Sequence, residues 1–449
     1  MKAIVYKASP LKYLFVRALS KKFPSLIYSI FSLANIKDIP DPKLLGEDWV
    51  KIRTSMSGIC GSDLGALNAH ESFYLEPYVS KEFVLGHENV GIISEIGKSV
   101  RNFKIGDRVT AFPFLACKQR GVKEMCRYCK EGRYSLCENV NEGNLSRGLS
   151  IGLNKDTSGG WSEFFLAHES QLVKLPKEIS DEEAVMLDSF SCALHAVLNN
   201  PPRESDLVLV YGSGTMGINT IMSLRALGYK NKIVAVYSRG FQAEKAKKSG
   251  ADILIKGRDD VYKKISEITG ARIYPVTIGK PAMEGGVDVV YDCVGNSETM
   301  NNSLRFLRGK GRYVMVATAG EIKSLDVAPV WFRELSIIGT CEQAFEDVKS
   351  SLTPSVYDRW HARPSGSVSS LWSTFYSTND NHHSKNSGIK CFNGGKKNTY
   401  EIAIEMILDG KVSLKDMVKH KFALNDFRKA LKTALNKSED VFKVALICR

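Results

Sequence analysis

The sequence predicts a mixed α/β protein in which a β-rich part is joined to a doubly wound parallel sheet. Up to about residue 175, short strands alternate with glycine-rich turns, as at residues 90–97 and 105–109, which is typical of all-β structure. From about residue 181, strands alternate with helices, and this rhythm indicates βαβ units. At 449 residues the chain is long enough for two domains.

Composition and charge narrow the classes of function. Hydrophobic residues make up 43% of the chain and charged residues 25%, as in ordinary globular proteins. The sequence contains no apolar run long enough for a membrane span. A net charge of +13 favours anionic partners, but the basic residues are dispersed along the chain, so we expect no specific nucleic-acid binding.

The N-terminal region is predicted to contain strands at residues 1–6 and 48–56. Between them, the segment 11–34 begins with a stretch that is basic and apolar at helical spacing. Two interpretations stay open for this segment. It is either a helix packed on the body of the protein or a helix that contacts a membrane surface or a partner.

The second half of the chain is predicted to alternate strands and helices. Acidic residues at 181–183 open a helix, where they suit the helix dipole. The further predicted elements are strands at 207–211, 232–237, 287–291 and 311–316, and a helix at 216–227. Residues 346–397 are rich in Ser, Asn, His and Lys and are predicted to form a long mobile insertion. A helix resumes near residue 400, and a strand closes the chain at 444–447.

Four cysteines fall within a short stretch and predict a structural zinc site. They are Cys117, Cys126, Cys129 and Cys137. C-x-x-C spacing lets two thiolates reach one tetrahedral Zn²⁺, and two more close its shell. The competing interpretations are a disulfide pair and inert core thiols. The N-terminus does not look like a secretory signal, so we expect a reducing cytoplasm, in which disulfides are rare.

A glycine turn between a strand and a helix predicts a dinucleotide site. The turn consists of Gly212, Gly214, Thr215, Met216 and Gly217, with Ser213 between the first two glycines. Such glycines let backbone N–H groups approach a pyrophosphate at a helix N-terminus.

The residues that follow the second strand bear on the choice of cofactor. In an NAD enzyme an acid at this point holds the ribose 2′-OH. Here the sequence has Ser238 and Arg239 instead. A hydroxyl and a guanidinium suit a 2′-phosphate, so we expect NADP in preference to NAD.

A second set of metal-ligand types is scattered along the sequence. Cys60 is followed two residues later by Ser62, and His87 is followed by Glu88. A catalytic zinc uses three protein ligands and leaves one position for water or substrate.

The order of these motifs resembles that of the zinc-dependent medium-chain alcohol dehydrogenases, including their threonine and polyol dehydrogenase branch. The resemblance covers nearly the whole chain except about 11–34 and 346–397. It implies an α/β fold with a GroES-like β domain at 1–188, which carries the zinc lobe, and a Rossmann domain at 189–333. Residues 334–449 would then return to the GroES-like domain.

The resemblance also implies roles for matching residues. Cys60 and His87 would be ligands of a catalytic zinc, and Glu88 the nearby carboxylate that can exchange onto the metal. Ser62 would pass on the substrate proton, and Asp63 would orient His87.

Three departures from the family pattern affect these assignments. The polyol branch has a Glu where this chain has Asp188, which would be the remaining zinc ligand on a shorter side chain. Lys123 stands where the zinc lobe usually has its first cysteine, so Cys117 would supply that thiolate. Gly65 stands where some members carry a relay histidine, and proton release would then run through water or another group.

These features predict reversible oxidation of an alcohol to a carbonyl by hydride transfer to NAD(P), in a cytoplasmic homo-oligomer. Two alternatives remain at this point. One is a zinc-containing protein that binds nucleic acid or a membrane surface on a vestigial dehydrogenase fold. The other is a reductase of activated double bonds without catalytic zinc, a type that generally lacks Cys60 and His87.

Overall fold

The computed structural model describes residues 1–317, 320–341, 344–347, 396–436 and 440–448. The predicted mobile insertion at 346–397 therefore lies outside the described residues except at its two ends.

The first part of the chain is β-rich, as predicted. Its strands are β1 (Lys2–Lys7), β2 (Ala34–Asp38), β3 (Trp49–Gly58), β4 (Glu82–Val84), β5 (Asn89–Ile96), β6 (Arg108–Ala111), β7 (Phe164–His168) and β8 (Leu172–Lys174). Strands β2, β1 and β4 form a small sheet in that order, and β3 pairs antiparallel with both β5 and β7. Strands β6 and β8 extend this second sheet beyond β5.

Helices and 3₁₀ turns connect these strands. The helices are α1 (Pro10–Leu19), α2 (Gly61–Leu67), α3 (Arg127–Lys130) and α4 (Asp181–Val185). The 3₁₀ turns are Pro24–Tyr28, Phe73–Tyr78, Tyr134–Leu136 and Glu169–Gln171. Helix α4 begins with a capping box, in which the Ser180 hydroxyl accepts from the Glu183 N–H and the Glu183 carboxylate accepts from the Ser180 N–H. This cap satisfies backbone donors that would otherwise lack partners at the helix start.

The middle of the chain forms a parallel sheet with helices between its strands. Its elements in chain order are α5 (Leu187–Asn199), β9 (Val208–Tyr211), α6 (Thr215–Ala226), β10 (Ile233–Tyr237), α7 (Gly240–Lys248), β11 (Ile253–Lys256), α8 (Val261–Thr269), the hairpin of β12 (Arg272–Tyr274) and β13 (Ala282–Glu284), β14 (Val287–Asp292), α9 (Ser297–Phe306), β15 (Leu307–Met315), α10 (Ala328–Phe332) and β16 (Ser336–Gly339). The sheet order is β11-β10-β9-β14-β15-β16, and every pairing is parallel. Strands β9 and β14 are buried along their whole length, as expected of a sheet covered on both faces. The strand order reverses at β9, and such a reversal creates the crevice in which this kind of sheet binds ligands.

The C-terminal residues return to the β-rich part. The elements are β17 (Phe345–Asp347), β18 (Lys396–Asn398), α11 (Thr399–Leu408), β19 (Val418–Ala423), α12 (Phe427–Leu435) and β20 (Lys443–Ile447), with a 3₁₀ turn at Leu424–Asp426. Strand β20 pairs antiparallel with β3 and parallel with β19. It thereby joins the end of the chain to the central strand of the first part.

The predicted fold class, a GroES-like β domain with a doubly wound parallel sheet, is confirmed. One detail differs from the sequence-based expectations, because strand β16 lies beyond the expected limit of the parallel-sheet domain at residue 333. Asp188 lies in the first turn of α5. The domain boundaries themselves stay a prediction. Among the described residues, none of the helices has the length and apolar character needed to cross a bilayer.

Candidate active site and zinc lobe

Three of the predicted metal ligands lie close together in the β-rich part, in the segments that flank strands β3 and β5. The ligand atoms of Cys60, His87 and Glu88 all lie within 4.8 Å of one another. Cys60 is the N-cap residue of α2, directly after β3, and His87 and Glu88 lie between β4 and β5. A thiolate, an imidazole and a carboxylate form a donor set that suits Zn²⁺, so the residues present fit the expected metal.

Asp63 fixes the orientation of this cluster. One carboxylate oxygen accepts from the Cys60 N–H at 2.8 Å, and the other lies 3.4 Å from Nδ1 of His87. Burial alone would lower the pKa of His87, but the charges of Asp63 and Cys60 raise it well above its usual range. The contact at Nδ1 leaves Nε2 for the metal, the arrangement in which a second carboxylate orients a ligating histidine. Ser62 Oγ lies 3.5 Å from the same Nε2.

Glu88 is held by a buried ion pair that sequence reasoning missed. Its two carboxylate oxygens lie 2.5 and 2.6 Å from Nζ of Lys443, the first residue of β20. Both side chains are almost fully buried. Burial would lower the pKa of Lys443, but Glu88 raises it to about 12, so the lysine stays charged. A lysine inside the apolar run of the last strand was the signal available in the sequence.

Gly58, at the end of β3, leaves the space that Glu88 occupies. A Cβ atom on Gly58 would lie 2.0 Å from Oε2 of Glu88. Real Cβ atoms do not approach oxygen so closely, and the carboxylate is already fixed by Lys443. The glycine two residues before Cys60 is therefore required by the packing of the site.

Asp188 is buried nearby but does not belong to the tight three-residue cluster. Its Oδ1 accepts a hydrogen bond from the Tyr400 hydroxyl at 2.8 Å. Tyr400, in the first turn of α11, is a second residue that sequence reasoning missed. Asp188 as a zinc ligand stays a prediction.

The space beside Gly65 is taken by an acidic side chain. A Cβ atom on Gly65 would lie 2.1 Å from Oε1 of Glu71. Burial, with the charge of Asp63, raises the pKa of Glu71. Gly65 follows Ser62 by three residues on α2, and positions three apart are neighbours on a helix surface. Glu71 is thus a carboxylate beside helix α2, which carries Ser62, and the sequence motif did not reveal it.

The four predicted lobe cysteines come together as free thiols. The sulfur atoms of Cys117, Cys126, Cys129 and Cys137 all lie within 4.8 Å of one another. Lys123, at the position where the resembled family has a cysteine, is exposed, and Cys117 completes the set. Four thiols at this spacing fit a tetrahedral Zn²⁺.

Backbone and side-chain N–H groups point at these sulfur atoms. The Cys126 N–H donates to Cys117 Sγ at 3.3 Å, and the backbone N–H of Asn139 donates to Cys137 Sγ at 3.4 Å. The side-chain amide of Asn139 donates to Cys117 Sγ at 3.3 Å. A hydrogen bond from Cys129 lowers the pKa of Cys137 to about 5. The donors to Cys137 favour the thiolate form that a metal requires. Burial raises the pKa of Cys117, and the hydrogen bond with Cys137 raises that of Cys129.

A fully buried arginine holds the loops around the lobe. Arg120 donates to the carbonyl oxygens of Leu115 at 2.9 Å and Gly148 at 2.6 Å, and it also contacts carbonyls of residues 142–146. One rigid guanidinium can satisfy several carbonyl groups at once. Arg120 therefore ties both ends of the lobe to the β-rich part.

The predicted dinucleotide turn lies at the carboxyl end of β9, where the strand order reverses. Gly212 has a φ of +98°, which a side chain would disfavour. A Cβ atom on Gly217 would lie 1.8 Å from the Gly212 carbonyl oxygen, whereas one on Gly214 would meet nothing within 4 Å. Helix α6 begins at Thr215, which Met216 follows. The N-terminus of the helix is therefore directed at this crevice.

The residues expected to select the cofactor lie beside that turn. Ser238 and Arg239 follow β10, and their backbone N–H groups donate to Oε1 of Gln242 at 3.0 and 3.2 Å. Ser238 is exposed and Arg239 is half-buried. Both side chains are available to a ligand at the carboxyl edge of the sheet.

The two predicted sites are linked by the start of β20. Thr215 Oγ1 donates to the Phe442 carbonyl oxygen at 2.6 Å, and the next residue is the Lys443 that pairs with Glu88. The dinucleotide turn and the metal cluster therefore share one short stretch of backbone.

Comparison with known proteins agrees with this arrangement. Residues 46–177 match the alcohol dehydrogenase GroES-like domain, and residues 215–355 match the zinc-binding dehydrogenase domain. The chain is 31% identical over 295 residues to L-idonate 5-dehydrogenase of Vitis vinifera, an alignment that covers 66% of this chain and 74% of the relative. This chain belongs to the zinc-dependent medium-chain alcohol dehydrogenase family. Membership confirms the predicted oxidoreductase over a vestigial fold that only binds nucleic acid or a membrane.

Two further comparisons agree with this membership. The chain is 28% identical over 332 residues to D-arabitol-phosphate dehydrogenase of Enterococcus avium, covering 73% of this chain and 83% of the relative. A zinc-binding dehydrogenase from Sinorhizobium meliloti 1021, solved bound to NADP, superposes with a TM-score of 0.63 at 21% identity, covering 92% of this chain and 95% of that one. The second comparison shows a shared fold.

The lobe geometry predicts the effect of removing one thiol. Cys126→Ser is expected to lower both the zinc content, from two ions per chain to one, and the unfolding midpoint, because structural zinc binding contributes to folding. Metal analysis and thermal unfolding of the purified variant measure the two quantities.

Cys448→Ser is the matched control, because Cys448 is a buried cysteine outside both clusters. It is expected to keep both zinc ions. Unmodified protein that retains one zinc ion or none after metal-free handling would contradict the lobe assignment.

Proposed function

We propose that this chain is a zinc- and NAD(P)-dependent dehydrogenase that interconverts an alcohol and its carbonyl compound. The observation that carries the proposal is the convergence of Cys60, His87 and Glu88 beside Ser62, in a chain whose dinucleotide turn is linked to the same cluster. When bound, zinc polarises the alcohol oxygen and lowers its pKa, and the nicotinamide accepts the hydride.

The protein's own residues would prepare the alcohol for hydride loss. Ser62, 3.5 Å from the metal-facing nitrogen of His87, would accept the hydroxyl proton of the substrate. Asp63 keeps the imidazole in the orientation that a ligand needs. The remaining zinc ligand would be Asp188, released from or shared with Tyr400.

Glu71 would take the proton onward from Ser62. Its carboxylate fills the space beside Gly65, on the helix that also carries Ser62. Water would bridge the two groups. The raised pKa of Glu71 brings it closer to neutral pH, where a proton acceptor works best.

The substrate class would be a polyhydroxy secondary alcohol. The named relatives are an idonate dehydrogenase and an arabitol-phosphate dehydrogenase. Both names refer to a substrate that is a sugar-derived polyhydroxy compound. A cytoplasmic location would agree with the two proposed zinc sites, because their five cysteines, Cys60 and the four of the lobe, are needed as thiolates or thiols.

A homo-oligomer would form through the edge of the parallel sheet. Strand β16 is the last strand of the sheet order, and an unpaired edge invites another strand. Trp331 and Phe332, just ahead of it, are 70% and 72% exposed. Apolar side chains at this level of exposure are typical of contact surfaces.

The test is a panel of alcohols and carbonyl compounds assayed with NAD and NADP by absorbance of the reduced cofactor. Turnover is expected with polyols or polyol phosphates, loss of turnover after chelation, and recovery on addition of zinc. His87→Asn is expected to abolish turnover, whereas His420→Asn, on β19, should not. A zinc-replete protein that turns over no alcohol or carbonyl compound would overturn the proposal.

Replacing Glu71 tests the proposed proton path. Glu71→Gln is expected to lower kcat about a hundredfold, a typical contribution of general base catalysis. It should also remove the rise in activity with pH. That rise is expected because Glu71 accepts a proton only when ionised, and burial moves this ionisation to higher pH.

Glu76→Gln is the control, because Glu76 is exposed in the neighbouring 3₁₀ turn. It should leave the pH profile unchanged. A Glu71→Gln enzyme that keeps the original pH profile would show that the proton leaves by another route.

Arg239 is expected to select the phosphate-bearing cofactor. Loss of one charge-assisted hydrogen bond costs about 1.5–3 kcal/mol, or about tenfold or more in affinity. Arg239→Ala should therefore raise the KM for NADP while leaving that for NAD little changed, and Lys247→Ala on α7 should change neither. A wide preference of the unmodified enzyme for NAD would refute this assignment.

A further inference from the structure

Helix α1 and the turn that follows it expose an apolar surface on the side away from the core. We call it the N-terminal apolar face, and its members are Leu11, Leu14, Phe15, Phe23, Ile30 and Phe31. Leu11 is 82% exposed and Ile30 73%, and the other four are 45–55% exposed. The rings of Phe15 and Phe31 lie 6.2 Å apart, so the helix and the turn contribute to one surface.

This orientation is the reverse of that usual for a surface helix. Leu11, Leu14 and Phe15 are spaced as one stripe of a helix, and such a stripe normally faces the core. Here the inward contacts are made by Val16 instead, together with Ile27 and Leu33 from the segment that follows, all of which are buried. The segment is thus packed on the protein and still presents its main apolar stripe to the outside.

Polar contacts fix the segment in place. Arg17 donates to the carbonyl oxygens of Ala69 and Glu71 and forms an ion pair with Glu321 at 3.1 Å. The Ser20 hydroxyl donates to the Asn68 carbonyl oxygen at 3.0 Å. The apolar face is therefore held on a rigid support and is presented without an ordering cost at the time of binding.

The segment that carries this face is basic. Residues 1–37 contain no Asp or Glu, and their basic residues are Lys2, Lys7, Lys12, Arg17, Lys21, Lys22 and Lys37. Acidic side chains from elsewhere pair with three of them, since Lys7 and Lys37 contact Glu82 and Arg17 contacts Glu321. Lys21 and Lys22 are exposed at the end of α1, and the Lys22 ammonium lies 5.7 Å from the ring of Phe23. Among the described residues, neither lysine has a side-chain ion pair.

We propose that the N-terminal apolar face docks this protein reversibly onto an anionic membrane surface. Leucine and phenylalanine would enter the headgroup boundary while Lys21 and Lys22 contact lipid phosphates, the pattern of interfacial helices. An anionic lipid surface complements the basic segment. A two-fold contact between copies of this chain would instead bring two such segments together, which like charges oppose. This docking does not depend on the proposed enzymatic function.

The strength of docking would depend on lipid composition and salt. A few apolar side chains give only marginal binding by themselves, and each lysine near an anionic surface strengthens binding about fivefold. Screening by salt removes most of the second contribution.

The experiment is flotation of the purified, zinc-loaded full chain with vesicles of phosphatidylcholine, with and without phosphatidylserine. Binding is expected to the anionic vesicles at low salt, with little binding to neutral vesicles or at high salt. Lys21→Glu with Lys22→Glu should lower partitioning about tenfold or more, and Leu11→Ser with Phe15→Ser should lower it comparably.

Matched controls test whether vesicle binding depends on this face or on any exposed lysine or apolar side chain. Lys247→Glu with Lys248→Glu changes an exposed lysine pair on α7, and Ile278→Ser changes an apolar side chain that is 91% exposed elsewhere. Neither control should change vesicle binding, and all variants should keep the zinc content and unfolding midpoint of the parent protein.

Three outcomes would overturn the proposal. They are absence of binding to anionic vesicles, equal losses in the face variants and the controls, and a change of oligomeric state in Leu11→Ser with Phe15→Ser without vesicle binding. The last outcome would assign the face to a second copy of the chain. Binding that a soluble acidic protein fragment abolishes at low concentration, with no preference for lipid, would assign it to a protein partner.

Discussion

The ion pair between Glu88 and Lys443 is the contact on which the active-site region depends. It joins Glu88, which follows the proposed zinc ligand His87, to the first residue of the last strand, and both partners are buried. Two buried charges are costly to desolvate, so removal of either would leave the other without compensation. The pair thus ties the end of the chain to the metal cluster, and the hydrogen bond from Thr215 to the neighbouring Phe442 carbonyl extends that tie to the dinucleotide turn. Metal cluster and cofactor turn are therefore fixed relative to each other through two consecutive residues.

Much of this architecture was visible in the sequence because it is encoded locally. The turn at Gly212–Gly217 needs glycine for reasons of φ and close approach, and a thiol pair at C-x-x-C spacing reaches one metal from a single turn. Lys443 and Tyr400 were missed because they meet Glu88 and Asp188 across 355 and 212 residues of chain. Contacts of that kind come from the pairing of β20 with β3 and from the packing of α11, and neither leaves a periodic signal. Glu71 was missed for a related reason, since only the fold shows that its carboxylate lies against Gly65.

The segment 11–34 has features of both interpretations of its sequence pattern, a helix packed on the protein and a helix with an exposed apolar surface. Val16 and the residues after it pack inward, as the simpler interpretation expected, while Leu11, Leu14 and Phe15 remain exposed. Periodicity detects that a helix has an apolar stripe, but it does not say which neighbour covers the stripe. Because Arg17 also contacts the stretch at Ala69–Glu71 and reaches Glu321 of the parallel-sheet part, this segment lies against both parts of the molecule.

The short ladder between β17 and β18 has a different consequence. Phe345 lies opposite Asn398 and Asp347 opposite Lys396, so the chain leaves the fold and re-enters it at neighbouring points. Glu346 is anchored there by His195 of α5 at 2.6 Å, which holds the exit in place. When the two ends of an excursion are already adjacent, the entropy of closing it grows only with the logarithm of its length. A longer or shorter connection between these two strands would therefore change the closure entropy only slightly, and this point in the fold is a natural site for grafting a foreign module.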